Sequence, residues 1–211
     1  MIKINRRLPK VIGMANPKFT EYLHYQYLPI KLIDTTFSLG LKLEKRLNFL
    51  RSFINTCILD FDENMDDAKD YYIYLTVKHM YQKPNCGFNR NGWHIDGFLS
   101  DDVNYIWSNC QPTVFNKGDF NLTEDHSISL KEMEEQSVDS NNVTYQNYTI
   151  LRLNSNIVHK VGPIEEGVRS FIKLTFSRDK FNLEGNSHNY ELDYNWDMFP
   201  RNKERNHPSV C

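Results

Sequence analysis

Cysteine is scarce in this chain and scattered. The four residues, Cys57, Cys86, Cys110 and Cys211, form no Cys-x-x-Cys pair, which argues against a structural zinc site and against a disulfide scaffold. Long apolar runs are missing too. No stretch approaches the roughly 18 apolar residues that a membrane-spanning helix needs. The opening MIKINRRLPK lacks the apolar run of a signal peptide, so a cytoplasmic protein without a membrane partner is expected. In that setting the Asn-x-Thr sequons at Asn121, Asn142 and Asn147 are expected to go unused. No charge of one sign prevails: 25 basic and 27 acidic residues give a formal charge of −2. Nucleic-acid-binding domains usually carry a strong basic excess, so nucleic acid is disfavoured as a partner. The small basic clusters Lys3 to Lys10 and Arg201 to Arg205 are expected to be solvated termini. There is no internal repeat and no low-complexity block.

What is present suits one domain, residues 1–211, large enough to bury about 70% of its unfolded surface. Over 17–60 the sequence reads as strand and helix cover. "FTEYLHYQYLPIKLI" has the aromatic and β-branched character of one or two strands. In "SLGLKLEKRLNFLRSFINTCILD", Leu43, Leu47, Leu50, Ile54 and Ile58 recur at helical spacing and make one apolar stripe. Cys57 belongs with that apolar face as a small buried residue.

From 71 to 178 the pattern turns to β. "YYIYLTVKHMYQ" (71–82) alternates around Ile73, Leu75 and Val77, and "DVNYIWS" (102–108) is a further strand. "NYTILRL" and "IVHKV" flank Asn154-Ser155-Asn156 and predict a hairpin. "VRSFIKLTFS" (168–177) has two unlike faces. Val168, Ile172, Leu174 and Phe176 make an apolar face broken by Ser170, while Arg169, Phe171, Lys173 and Thr175 make a mixed one. The apolar face is expected on the helix stripe and the mixed face on a cavity. The fold class expected is mainly β with helical cover, an antiparallel sandwich or barrel. Residues 118–146 form an acidic insertion, with "SISLKEMEEQ" as a short helix opened by a capping serine. In the tail, 179–211, Tyr190, Tyr194, Trp196 and Phe199 suggest packing back on the body.

The chemistry concentrates in "GWHIDGF" (92–98). Seven histidines, in a chain where about one residue in eight is acidic, yield roughly one His-x-Asp/Glu by chance, so this pair alone decides nothing. In an extended segment His94 and Asp96 share one face. His159, in "IVHKV", offers a third ligand from another strand. Two histidines and a carboxylate cover one face of an octahedral metal and leave the other open, as in non-haem Fe(II) oxygenases. An arginine on the next strand suits a dicarboxylate, which it can hold by two parallel charge-assisted hydrogen bonds.

His94-x-Asp96, His159 after 62 intervening residues (97–158) and Arg169 after nine more (160–168) resemble the Fe(II)- and 2-oxoglutarate-dependent dioxygenases. The resemblance covers about 71–178, and Trp93-His94-x-Asp96-Gly97 is similar to the phytanoyl-CoA-hydroxylase-type branch. It implies a double-stranded β-helix of jelly-roll, cupin-like type. It also implies iron ligands His94, Asp96 and His159, which are the catalytic residues, and Arg169 on the distal carboxylate of 2-oxoglutarate. The implied reaction consumes O2 and 2-oxoglutarate, releases succinate and CO2, and hydroxylates a C–H bond of a small molecule or protein side chain. Many relatives place a serine or asparagine two residues after the arginine. Here Phe171 stands there, and a strand tyrosine, Tyr74 or Tyr105, is expected to supply the missing polar partner, with Tyr105 taken as the cofactor-binding residue.

Two alternatives stay open: a cupin-like metal protein with isomerase or binding function, and a nucleic-acid-modifying oxygenase. The acidic insertion disfavours polyanions and favours a neutral or cationic substrate. Lys173 is placed either on an anionic part of the substrate or in a surface salt bridge. Trp93 and Trp107 are expected to pack or to line the substrate mouth. His24, His79, His126, His188 and His207 show no recruiting pattern.

Overall fold

The computed structural model describes residues 1–33, 40–84 and 90–200. Cys86, Cys211, His207 and the 201–205 cluster lie outside them. Among the described residues the chain is mainly β, with three antiparallel sheets and two α-helices.

Six strands form the large sheet: β2 (Lys10–Met14), β3 (Leu23–Lys31), β4 (Tyr72–Gln82), β5 (Val103–Ser108), β9 (Thr149–Leu153) and β11 (Gly167–Ser177). Their order across it is β2-β9-β5-β11-β4-β3. Three short strands, β6 (Val114–Asn116), β8 (Asn142–Thr144) and β10 (His159–Lys160), make a second sheet in the order β10-β6-β8. β1 (Ile2–Asn5) pairs with β7 (Asp119–Leu122). Helix α1 is Arg51–Asn64 and α2 is His126–Gln136.

The apolar stripe forms from Leu47 onward, in two geometries, while Leu43 is half-buried in the non-helical segment before it. Lys45–Leu50 is a 3-10 turn that runs into α1, a common way for a helix to begin. Leu47, Leu50, Ile54, Cys57 and Ile58 are buried against Ile172, Leu174 and Phe176 of β11 and Ile73, Leu75 and Val77 of β4. Each such large side chain contributes about 1.5–3 kcal/mol on burial, which docks α1 on this face. The other face of the sheet is turned to the smaller sheets and α2, whose own apolar cluster includes Ile4, Trp93, Phe120, Met133 and Val158.

Three expectations need correction. The hairpin expected from 147 to 161 does not form: β9 joins the large sheet and β10 the three-stranded one, so Asn154–Asn156 carries the chain between layers. The basic N-terminus is strand rather than solvated tail, because β1 and β2 pair with β7 and β9 while their charged side chains stay exposed. α2 opens on Asp125, whose carboxylate accepts from Ser127 N and Ile128 N, and not on a serine. The insertion 118–146 is built of β7, α2 and β8. In the tail, Trp196 packs edge-on to Tyr72 and beside Tyr194, whereas Tyr190 is exposed. No helix among the described residues is long and apolar enough to cross a membrane.

Candidate metal centre and anion cavity

A cavity of about 800 Å³ lies between the large sheet and the small ones. β11 sets its floor by alternation: Arg169, Phe171, Lys173 and Thr175 line it while the apolar residues face α1. Residues paired directly across an antiparallel ladder share a face. Lys78 opposite Phe171, Thr76 opposite Lys173, and Ile106 and Asn104 opposite Lys173 and Thr175 therefore line the cavity too.

Both histidines reach the cavity through one backbone pairing. His94 N donates to His159 O and His159 N to His94 O, each at 2.9 Å, which ties the GWHIDGF segment to β10. Such an exchanged pair projects both side chains the same way, and the ring centroids lie 4.5 Å apart. His94 Nδ1 lies 3.0 Å from Gly92 O, and His159 Nδ1 lies 2.9 Å from Ile157 O. A carbonyl only accepts, so each Nδ1 carries the proton and each Nε2 keeps its lone pair. Asp96 follows two residues after His94, on the same side, and its Oδ2 is 3.8 Å from His159 Nε2. One ligand atom from each of the three side chains falls within 4.8 Å of the others, so this group could hold a metal ion. Gly97 then turns the chain at φ +67°; a Cβ there would meet Asp102 Cβ and Ser100 Oγ at 2.7 Å.

The electrostatics keep the imidazoles neutral. Burial, with His159 beside it, pushes His94 down to about 3, and burial likewise lowers His159. Burial opposes ionisation of Asp96, but the Lys173 ammonium outweighs it and holds the carboxyl well below its ordinary range. Lys173 Nζ donates to Asp96 Oδ2 and to Tyr27 Oη, both at 3.0 Å. It is therefore in a buried ion pair and not a surface one. Tyr27 sits at a bulge of β3 with φ +47°, a strained setting for an aromatic residue, and its amide donates to Thr76 Oγ1 at 3.0 Å.

Arg169 is 1% exposed. Its Nε donates to Cys110 O and Gln111 O at 3.4 and 3.3 Å, and its Nη2 to Gln111 O at 3.2 Å. Nη1 is buried with no hydrogen-bond partner. Burial lowers this guanidinium to about 10. Burial, helped by Lys173 and Arg169, also lowers Lys78 to about 8, so three cations crowd one sheet face.

No protein-family model, curated protein or solved structure matches the chain.

His94, Asp96, His159 and Arg169 thus line one cavity. Tyr105 does not, and the expectation that it binds the co-substrate is corrected. Paired with Leu174, it faces α1, where its hydroxyl donates to Asp60 Oδ2 at 2.7 Å. Tyr74 is covered instead: Phe181 stacks on it at 4.3 Å, and its hydroxyl donates to Asp179 O. Trp107 packs on the α1 face and donates to Ala15 O, while Trp93 is buried under Lys160, so neither lines the mouth. Sequence reasoning passed over Lys78, Tyr27, His24 and His126, all of which line the cavity. The alternation of β4 carried a signal for Lys78, since Ile73, Leu75 and Val77 leave Thr76 and Lys78 on the opposite face.

Proposed function

We propose that this protein is an Fe(II)- and 2-oxoglutarate-dependent oxygenase that hydroxylates a C–H bond of a small molecule or protein side chain, with release of succinate and CO2. The carrying observation is one cavity that contains both an open three-ligand group and a buried arginine with an unfilled nitrogen. A buried N–H without an acceptor is costly, so Arg169 Nη1 marks a place where a ligand oxygen belongs. The far carboxylate of 2-oxoglutarate would satisfy it in the fork geometry that guanidinium offers. The donor set fits the metal: two neutral imidazoles and a carboxylate, without thiolate, suit Fe(II) and leave coordination positions open. The double-stranded β-helix belongs to the same proposal, supported by a large sheet facing a smaller one with both histidines at the latter's edge.

When bound, iron and 2-oxoglutarate supply the oxidising power for hydroxylation. The chain's own residues hold and orient. The carbonyls of Gly92 and Ile157 fix the two imidazole tautomers. Lys173, held by Tyr27, fixes the Asp96 carboxylate. Phe171 lies 5.4 Å from the Arg169 guanidinium, so it replaces a polar neighbour with a stacking one.

The Lys173–Asp96 contact favours a second reading, a cupin-like protein of non-oxidative function, because an ammonium on the carboxylate weakens it as a donor to a metal. One spectrum separates the two. Under anaerobic conditions with Fe(II) and 2-oxoglutarate, the protein is expected to show a weak visible charge-transfer band. His159→Ala is expected to abolish the band and Arg169→Ala to weaken it, after which succinate release screens substrates. Iron binding without the band puts the second reading ahead, and no iron binding at all removes both.

A further inference from the structure

The proposed co-substrate takes only one end of the cavity. Lys173, on Asp96, marks the level of the three ligands along β11. Arg169 lies about 13 Å along the strand to one side of it, and Thr175 about 7 Å to the other. A 2-oxoglutarate held by Arg169 at one end and by the metal at the other stays on the Arg169 side. The floor beyond Lys173 is left to the substrate. Thr175 and Asn104, paired across the ladder, form it.

Asn104 is 2% exposed, and its orientation is fixed. Thr175 Oγ1 donates to its Oδ1 at 2.7 Å, which occupies the carbonyl and turns the amide nitrogen away. Among the described residues Nδ2 donates to no protein group, and it faces the cavity. Asp102 lines the cavity beside it. The Asp102 carboxylate accepts from the hydroxyls of Ser100 and Ser177, and two donors leave it further lone pairs. A Cβ on Gly97 would come within 3.1 Å of its Oδ2, so Asp102 packs against the residue that follows Asp96. Burial works against its charge, and one more N–H donor offsets that. Asn104 and Asp102 thus offer the cavity one donor and one acceptor side by side. Phe181 stacks on Tyr74, which pairs with Thr175 from the other side, and with Phe98 and Leu99 it adds apolar wall.

The acidic insertion takes no part. Asp125 caps α2, Glu132 accepts from Thr123 N and Glu134 from Trp93 N, and none of the three lines the cavity. Its acidity therefore gives no guide to the substrate, whereas Asn104 and Asp102 do. We infer that the primary substrate carries a carboxamide, whose carbonyl oxygen accepts from Asn104 Nδ2 while its N–H donates to Asp102. This rests on the oxygenase proposal for which end of the cavity stays open.

The test uses protein loaded anaerobically with Fe(II) and 2-oxoglutarate and checked by its band. It is titrated calorimetrically with hexanamide, with the isostere heptan-2-one, which only accepts, and with hexylamine, which only donates. Hexanamide is expected to bind about tenfold tighter than either, with the band retained. Asn104→Ala should weaken hexanamide and heptan-2-one alike by about tenfold, because both present a carbonyl. Asp102→Asn should leave heptan-2-one as it was and cut the preference for the amide to about threefold or less, a ratio that a merely structural role would not move. Where Asn104→Ala fails to fold, Thr175→Val, which frees the Asn104 amide without removing it, should weaken both carbonyl ligands about threefold. Hexanamide that binds no tighter than heptan-2-one or hexylamine, or not at all, overturns the inference, as does a preference unmoved by Asp102→Asn. Loss of the band on adding hexanamide also overturns it, since that would place the amide at the metal or on Arg169. All of these results leave the oxygenase proposal standing. If the band never forms, that proposal fails by itself. The titrations are then repeated on the metal-free protein, where an amide preference that depends on Asp102 sustains the inference and its absence ends it.

Discussion

On the α1 face of the six-stranded sheet, Asp60 Oδ2 accepts from Tyr105 and from Arg152, both at 2.7 Å. At the same sheet's margin, the buried Lys31 ammonium donates to three carbonyls, those of Leu32, Lys69 and Tyr71. Three N–H groups meet three acceptors, and the groups close on one another. On the opposite face Lys173 also closes, on Asp96 and Tyr27, but Arg169 leaves a nitrogen without an acceptor and three cations crowd together. Buried polar groups are normally satisfied, so the closed set needs only the fold to explain it, whereas the open set calls for something beyond the chain. The same six strands thus build a structural face and a receptive one.

Substitutions can break this contrast, and the largest effect belongs to the closed face. Asp60→Ala strands Tyr105 and Arg152 together and should cost about 3–5 kcal/mol. For a chain of 211 residues that lowers Tm by about 10 °C, while the iron–2-oxoglutarate band stays as in the wild type. Thermal unfolding and one spectrum check both halves. A lost band would show that the two faces are not independent.

Lys173→Met tests the joint between structure and receptivity. Asp96 is one-fifth exposed, so loss of its ammonium partner should cost the metal-free protein a discounted ~2–3 kcal/mol. Added Fe(II) should recover most of that, because a cation at the three ligands restores the missing counter-charge. Urea unfolding with and without metal measures the difference. Metal that restores nothing would remove Asp96 from the ligand set.

Acid should weaken the receptive face through His94. Its folded value of about 3 lies below the ordinary 6.5, so the unfolded chain takes up the proton first. Stability from this group is complete above pH 6.5 and is lost as pH falls toward 3, by about 2 kcal/mol at pH 5. His94→Gln should flatten that part of the curve in metal-free protein. Smaller still, Tyr105→Phe should cost about 1–2 kcal/mol and leave 2-oxoglutarate affinity unchanged. Weakened affinity would return Tyr105 to the cavity.

That last substitution marks where the sequence was legible and where it was not. β11 declared both faces because its apolar and mixed residues alternate, which put Arg169 on the mixed side; His94, Asp96 and His159 were singled out with it by a resemblance of motif and spacing, and the structure brings all four to one cavity. β5 carried a fainter version of that contrast: Val103, Tyr105 and Trp107 alternate with Asn104, Ile106 and Ser108, and parity alone sets Tyr105 with the apolar residues, away from the cavity that Asn104 and Ile106 line. Its register against Leu174 agrees. The hairpin failed for another reason. "NYTILRL" and "IVHKV" look alike as apolar strands, yet one is paired by β5 and the other by β6, and long-range partners leave no local trace. β1 and β2 were hidden by their charges, which edge strands carry on purpose to discourage further pairing. The unfilled nitrogen of Arg169 is visible only once its surroundings are in place.

Arg169→Met should have the smallest effect on stability and the sharpest meaning. In a closed cluster, removing one member strands the others, as at Asp60. Arg169 instead donates to two backbone carbonyls and carries an N–H that nothing accepts. Replacing it with an apolar side chain of similar length removes a buried charge together with that orphan, so stability should change by less than about 1 kcal/mol, and upward if at all. The 2-oxoglutarate band should weaken at least tenfold in apparent affinity, with iron binding unaffected. A residue that costs nothing to lose from the fold but disables co-substrate binding is kept for the ligand. A loss of several kcal/mol without any change in the band would instead make Arg169 a member of the closed set, and the contrast between the two faces would disappear.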